Sequence, residues 1–480
     1  MNDTIQFMPV LPEIIIASMA CFILVIDLYL KDSQKMISFG LTILTLIVGL
    51  VFIVSGYGQE PQLIFNGTVV VDQLSVVTKF GIVLASLLLL IYSRQYAVDR
   101  ELFGGEYFVL VLLGTVGMMV LTSSSHMLTL YMGLELLSLC MYALIAMQRD
   151  SAKASEAAMK YFVLGALASG ILLYGMSLFY GLTGSLQLGE ISQSLASQDK
   201  QSMPLILATI FIVVGLAFKL GAVPFHMWVP DVYHGSPTSA TIFIGAAPKI
   251  AAFAMVVRLL VSGFSELQIH WGDMLSLLAI ASVAVGNILA IAQTNFKRML
   301  AYSTISHMGF FLFGIVSGNE HGYGAALFYV MVYAFMSLGA FGLLMILSSK
   351  GVEVEEIEDL KGLNQTHPWL AFLMLLVMFS MAGVPPTIGF YAKLSVIQSL
   401  VSVGYYQMAI IAVLLAVIGA YYYLRIIKTV YFEDADQKRI LTPQPVATFV
   451  LSTNILAVLW LMPFVGVLID ICQKAVMVLP

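Results

Sequence analysis

Apolar residues run along most of this chain in blocks of about twenty, separated by short polar joints. A helix of that length crosses the roughly 30 Å hydrocarbon core of a bilayer. Read with a window of roughly 19 residues, the blocks fall at 9–30, 36–56, 72–93, 107–124, 126–147, 157–181, 204–228 and 238–262, then at 272–293, 299–317, 322–348, 368–399, 403–428 and 445–472. The pattern predicts an all-α integral membrane protein of about fourteen transmembrane helices. The division between the fourth and fifth spans rests on the polar patch Ser123-Ser124-Ser125-His126. No basic stretch precedes the run from Pro9 to Leu30, which is expected to stay as the first helix rather than be removed as a signal.

Composition agrees. Only 10% of the 480 residues are charged and 60% are hydrophobic, whereas a soluble domain is about a quarter charged. The net charge of -5 says little about partners, and no basic block suggests nucleic acid. Cys21, Cys140 and Cys472 form no CxxC pair and read as buried, inert thiols. With the N-terminus outside, fifteen of the 22 lysines and arginines fall on one side and only Lys200 and Lys474 on the other. That asymmetry makes the basic side cytoplasmic. The remaining five, Lys79, Lys219, Lys249, Arg258 and Lys393, lie within spans.

Spans four to eight and nine to thirteen look like two copies of one unit. In each, the fourth helix combines glycine, proline and a lysine. The seventh span reads Phe218-Lys219-Leu220-Gly221-Ala222-Val223-Pro224-Phe225-His226. The twelfth reads Met381-Ala382-Gly383-Val384-Pro385-Pro386, then Gly389-Phe390-Tyr391-Ala392-Lys393. Lys219 and Lys393 are 174 residues apart, and the same offset from Glu135 lands at 309, two residues from His307. Five helices is an odd number, so the second copy enters the membrane from the opposite side, giving two inverted five-helix repeats. The chain then divides into a three-helix segment (1–106), a first repeat (107–262), an inverted second repeat (272–431) and a C-terminal helix (440–480). Proline removes a backbone donor, and carbonyls freed in lipid must face protein or water. Interrupted spans seven and twelve therefore point to hydrated cavities, with a simple packing kink as the alternative.

Glu135, Lys219, Lys249, His307 and Lys393 lie near mid-span. A charge that deep is costly unless paired, hydrated or neutralised. Glu135 and Lys219 read as partners; at roughly 6 Å and an effective dielectric near 20 their attraction is about 2.8 kcal/mol. Making or breaking that pair would switch Lys219 between holding and releasing a proton, the competing reading being a fixed ion pair. Lys249 has no acidic residue on its own helix, which suits a proton relay. Histidine ordinarily titrates near neutrality, so His307 can bridge the two halves, or serve only as a hydrogen-bonded core residue.

Other charges are less telling. Arg258 is about one turn from its helix end and is expected to snorkel. Lys160 can snorkel or help hydrate a cytoplasmic mouth, and Lys79 lies outside the repeats. His226 and His234 match no zinc spacing. The run 352–360 is expected to be a solvated cytoplasmic helix, and Asn66-Gly67-Thr68 matches the glycosylation pattern by chance. No phosphate-cradling loop or dinucleotide fingerprint occurs, so ATP, NADH and flavin are not expected on this chain.

Several runs together resemble a known family. They are Leu11-Pro12-Glu13-Ile14, the Glu135 helix, His226-Met227-Trp228-Val229-Pro230-Asp231-Val232-Tyr233-His234-Gly235-Ser236-Pro237-Thr238, Pro248-Lys249, Ala301-Tyr302-Ser303-Thr304-Ile305-Ser306-His307 and Gly389-Phe390-Tyr391-Ala392-Lys393. Over essentially its whole length the chain resembles the N-type, antiporter-like subunits of bacterial proton-pumping NADH:quinone oxidoreductase (respiratory complex I), counterparts of mitochondrial subunit 2. The largest related subunit adds a lateral helix after helix fourteen, whereas this sequence stops at Pro480; the middle one typically has glutamate where Lys393 stands. The resemblance implies proton transfer along Glu135, Lys219, Lys249, His307 and Lys393, with Lys160 and His226 as further candidates. It implies no cofactor on this chain, with NADH, FMN, iron–sulfur clusters and quinone in partner subunits. It also implies other complex I membrane subunits and lipids as partners, in a bacterial inner membrane, an organellar one being the alternative. The rival function is a D-type subunit of a multisubunit sodium/proton antiporter; a third reading is a structural spacer whose lysines are locked in ion pairs.

Overall fold

The computed structural model describes residues 7–348, 353–434 and 444–477. Lys350, Lys438 and Arg439, three of the fifteen basic residues counted on the cytoplasmic side, and Val352 of the acidic run lie outside the described residues. The helices are α1 (Leu11–Asp27), α2 (Met36–Ser55), α3 (Gln73–Asp99), α4 (Gly105–Thr122), α5 (Met127–Ala146), α6 (Ala152–Thr183), α7 (Leu188–Ala196), α8 (Met203–Leu220), α9 (Trp228–Gly235) and α10 (Thr238–Gly245). They continue as α11 (Ala247–Val256), α12 (Gln268–Ile291), α13 (Phe296–Val316), α14 (Glu320–Leu347), α15 (Leu363–Thr366), α16 (Pro368–Ala382), α17 (Ile388–Ser402), α18 (Tyr406–Phe432), α19 (Pro445–Trp460) and α20 (Val465–Met477). Among the described residues, twelve helices are long and apolar enough to span a membrane, and α19 with α20 makes a thirteenth, bent by 51°. Two shorter apolar helices, α16 and α17, flank the break where the twelfth span was expected.

Three details differ from the expected spans. The first helix stops at Asp27 rather than near Leu30. The last is bent at Leu461, where Pro463 opens a short 3-10 turn and cannot donate to the preceding ladder. The eighth is interrupted at Ala246 (φ -116°, ψ -87°), and Pro248 sits in the first turn of α11. Lys249 therefore lies beside a helix break, a feature hidden by the continuous hydropathy.

Gly221 ends α8 at φ 76° and Gly383 ends α16 at φ 84°, both in the left-handed region that favours glycine. At Gly383 a Cβ would sit 2.8 Å from Lys393 Cδ, so the missing side chain is what admits the lysine stem. These glycines are 162 residues apart, not 174. Lys219 precedes its glycine by two residues and Lys393 follows its own by ten, so the two lysines are not in register.

The first two helices of each proposed unit cross at glycine. A Cβ on Gly117 of α4 would meet the Gly133 carbonyl of α5 at 2.8 Å, and one on Gly286 of α12 would meet Ser306 N of α13 at 2.6 Å. Small residues let backbones approach closely where apolar burial gives no drive between helices. Helix α14 packs against α3, α13, α17 and α20 and forms much of the core, while α18 leaves a broad apolar face outward. Between α2 and α3 the chain folds into an antiparallel pair, β1 (Gln62–Ile64) and β2 (Val69–Val71), with Asn66-Gly67 in its turn. Cys140 and Cys472 are buried as expected; Cys21 is exposed on α1.

Candidate functional site

Lys219 is in the last turn of α8, before the break, and faces α5. Its Nζ donates to Ser138 Oγ at 2.7 Å and stands 5.9 Å from the Tyr161 ring centre. The expected Lys219–Glu135 ion pair is not formed: Glu135 lies one turn back along α5, and its Oε1 is buried without a hydrogen-bond partner. Ser138 holds the ammonium instead, close enough to Glu135 for the two charges still to interact.

Lys249 is more deeply buried than Lys219. Its Nζ donates to the Leu220 carbonyl at 3.1 Å and lies 5.5 Å from the Trp228 ring centre. Leu220 is the last residue of α8, where carbonyls have lost their helical partners and the helix dipole is negative. Lys393, on α17, makes the matching contact in the other half, donating to the Met381 and Ala382 carbonyls at 2.9 and 2.8 Å at the end of α16. Each broken helix thus exposes C-terminal carbonyls, and a lysine from beyond the break covers them.

His307 is buried between two tyrosines. Nδ1 lies 2.7 Å from Tyr329 Oη and Nε2 3.0 Å from Tyr423 Oη. One nitrogen of a neutral imidazole donates and the other accepts, and Tyr423 bonds onward to Ser303. A cavity of about 10 Å³ joins His307 to Lys393, and another of about 10 Å³ joins Lys219 to Lys249. Each is about the size of a single water. Sequence reasoning missed Tyr329, Tyr423 and Ser138, because buried hydroxyls are indistinguishable from core residues in a hydropathy pattern.

The structure places the remaining charges elsewhere. Lys160 is half-exposed and pairs with Asp231 and Glu156, each at 2.9 Å, while Asp231 also receives Arg298 at 2.8 Å. His226 is buried just beyond the first break, with Nδ1 unpartnered. Arg258 does not snorkel: it makes two 2.7 Å bonds to Asp72 and a third to the Thr122 carbonyl, all buried. Lys79 pairs with Glu13 at 2.5 Å, also buried.

Only the second half of the acidic run is helical and partly solvated, as a short 3-10 turn over Ile357–Leu360 with Glu358 exposed; the first half is extended. Glu355 and Glu356 lie on an extended stretch that bonds to the start of α13 (Phe296 N to Glu355 O, 2.6 Å; Ile357 N to Thr294 O, 2.9 Å). Glu353 accepts from Tyr96 (3.0 Å), Thr238 (2.7 Å), Lys297 (3.3 Å) and Arg100, tying α3, α10 and α13 together. Burial opposes its charge, but Lys297, Thr238 and Arg100 outweigh it and bring the carboxyl down to about 2. A depressed folded pKa stabilises above the ordinary carboxylate value and is lost as pH falls towards the folded one. Glu353→Gln is therefore expected to remove roughly 3 kcal/mol at neutral pH, seen as a lower thermal midpoint. The deficit should shrink between about pH 4.5 and pH 2.

Residues 124–419 match the family described as NADH:quinone oxidoreductase/Mrp antiporter, TM. The chain is 53% identical to the NADH-quinone oxidoreductase subunit N of Thioalkalivibrio sulfidiphilus, over 98% of both chains. It is 51% identical to that of Nitrosomonas europaea, again over 98% of both. The chain belongs to the subunit N family of NADH-quinone oxidoreductases. A subunit N protein is a proton-translocating membrane subunit of that complex, and this reading prevails over the sodium/proton antiporter alternative. The fold is similar to a chain of respiratory complex I from Thermus thermophilus with bound Aureothin (TM-score 0.83, 32% identity, 96% of this chain and 98% of that one). It is also similar to a chain of the Mrp complex of a Dietzia species (TM-score 0.82, 20% identity, 97% of both), a likeness of fold alone.

Proposed function

We propose that this subunit moves protons along Glu135, Lys219, Lys249, His307 and Lys393, and that the redox steps occur in partner subunits holding NADH, FMN, iron–sulfur clusters and quinone. One contrast supports this most strongly. Arg258 and Lys79 are buried and locked to carboxylates, whereas Lys219, Lys249 and Lys393 donate to a hydroxyl or to backbone carbonyls. Lys249 and Lys393, held only by neutral carbonyl oxygens, can lose a proton without stranding a buried anion; Lys219 is bonded to a hydroxyl but keeps Glu135 within reach. A spacer with locked lysines would have the opposite pattern.

Deprotonating Lys249 or Lys393 withdraws a charge from the C-terminus of a half-helix and leaves its carbonyls free to bind water. Hydration of the break and the charge of the lysine are thereby coupled. Against roughly 180 mV one proton needs about 4 kcal/mol, more than one pairwise interaction of about 2.8 kcal/mol supplies. Several such steps must act together. Lys160 and His226, near the basic side of the first break, serve proton supply from the cytoplasm, with the N-terminus on the outer side of a bacterial inner membrane.

Glu135 points to a partner. Met132 and Leu139, which share its helix face, are 69% and 56% exposed. A carboxylate on such a face is costly against lipid, so another membrane subunit of the complex covers it. The test of the reading is NADH-driven acidification of vesicles bearing the assembled complex in sodium-free buffer. Pumping that depends on NADH and quinone supports it. Transport that requires sodium and ignores NADH and quinone favours the antiporter reading.

A further inference from the structure

Away from the buried lysines, the spans α2, α3, α14, α19 and α20 enclose a cavity of about 640 Å³, a size typical of ligand pockets. Its floor is buried and includes Val76 of α3 and Phe328, Val332 and Met336 of α14. Its rim is exposed, with Val54 of α2, Phe80 of α3 and Phe449 of α19. The lining follows α3 from Val76 to Leu88 and α19 from Phe449 to Leu461, twelve residues on in each case. That is about 18 Å of helix. One leaflet of hydrocarbon is about 15 Å deep, half of the bilayer core. The groove is therefore as long as the path of one lipid chain through a leaflet.

The walls suit an apolar chain. Midway along them, Thr453 donates to the Phe449 carbonyl at 3.0 Å and Asn454 to the Phe335 carbonyl at 3.1 Å, so both polar side chains are turned to the backbone. Apolar space of this kind stays dry, and leaving it void forfeits dispersion contacts. A helix from another subunit is the competing occupant. Helices in lipid pack where small residues let backbones approach, whereas this lining holds no glycine among the described residues and one alanine, Ala457. Bulky walls of this kind receive a flexible chain better than a second helix.

One end is polar. Tyr57, just beyond α2, and Ile471 and Cys472 of α20 line the end away from the basic loops. Tyrosine is favoured at the head-group level of a membrane. Lys474, two residues beyond Cys472, is exposed and bonds to Asp470 at 2.7 Å. It is one of the two basic residues that the sequence places on that side. We propose that the groove binds one acyl chain of a membrane phospholipid, with the head group at Tyr57 and the phosphate facing Lys474.

The test uses the assembled complex in vesicles of phosphatidylcholine that carries a photoactivatable diazirine on one acyl chain. A parallel set contains a quinone with the same group on its isoprenoid tail. After irradiation, labelled residues of this subunit are mapped by mass spectrometry. The expected result is phospholipid label on the floor, at Val332 and Met336, as well as on the rim at Phe449. Ala457→Phe fills the groove and should abolish the floor label while the rim label remains. Should that variant fail to assemble, Thr453→Trp, at an exposed rim position, decides on the same criterion. Phospholipid label confined to the rim, or a floor labelled equally in the filled variant, overturns the site. A floor labelled by the quinone and not by the phospholipid overturns it as well, and gives the groove to a quinone tail.

Discussion

Vesicles carrying Lys249→Met are expected to hold a normal complement of subunits and to pump protons at less than roughly a tenth of the unmodified rate. Methionine matches the lysine stem in length and fits an apolar pocket. It leaves the Leu220 carbonyl without its donor, a local cost of about 1–3 kcal/mol, small enough for a water to offset in a site that already has room for one. The fold therefore survives while the titratable group is gone. Initial rates of NADH-driven acidification, normalised to subunit content, measure the effect. A rate near normal would make Lys249 a carbonyl cap and nothing more.

Arg258→Met should have the opposite phenotype. The guanidinium makes both of its carboxylate bonds to Asp72 with almost no exposure on either side chain. Asp72 also caps the start of α3 through Ser75. Removing the arginine strands a buried carboxylate, which costs about 3–5 kcal/mol, comparable with much of a domain's net stability. The expected result is a sharp fall in the amount of subunit in the membrane, with whatever assembles pumping normally per complex. Replacing the pair together, Asp72→Asn with Arg258→Met, should recover a large part of the lost assembly, because no charge is left unpaired. If the double variant is no better than the single one, the burial of Asp72 is not what makes Arg258 necessary.

These two residues show where the sequence was legible and where it was not. Isolated lysines in long apolar runs announce themselves, since lipid tolerates few charges; Lys219, Lys249 and Lys393 were all found that way. What each lysine touches was not legible. Ser138 is only three residues from Glu135 on α5, and the rotation of α5 against α8 decides which of them meets Lys219. Asp72 and Arg258 are 186 residues apart and share no local motif. The breaks at Gly221 and Gly383 were readable from glycine and proline, whereas the one at Ala246 was lost because hydropathy averages straight across it. Counted from lysine to lysine the spacing is 174 residues, whereas the left-handed glycines that end the two broken helices are 162 apart. The acidic run misled by its composition: its carboxylates meet Arg100, Lys297 and Lys153, delivered from other helices.

The most direct measurement is proton pumping by the assembled complex in vesicles carrying Lys219→Ala, with subunit content checked by immunoblot. Loss of pumping and of coupled quinone reduction, with assembly intact, is the predicted result. Pumping at the unmodified rate would contradict the placing of the proton path through the lysine at the first helix break.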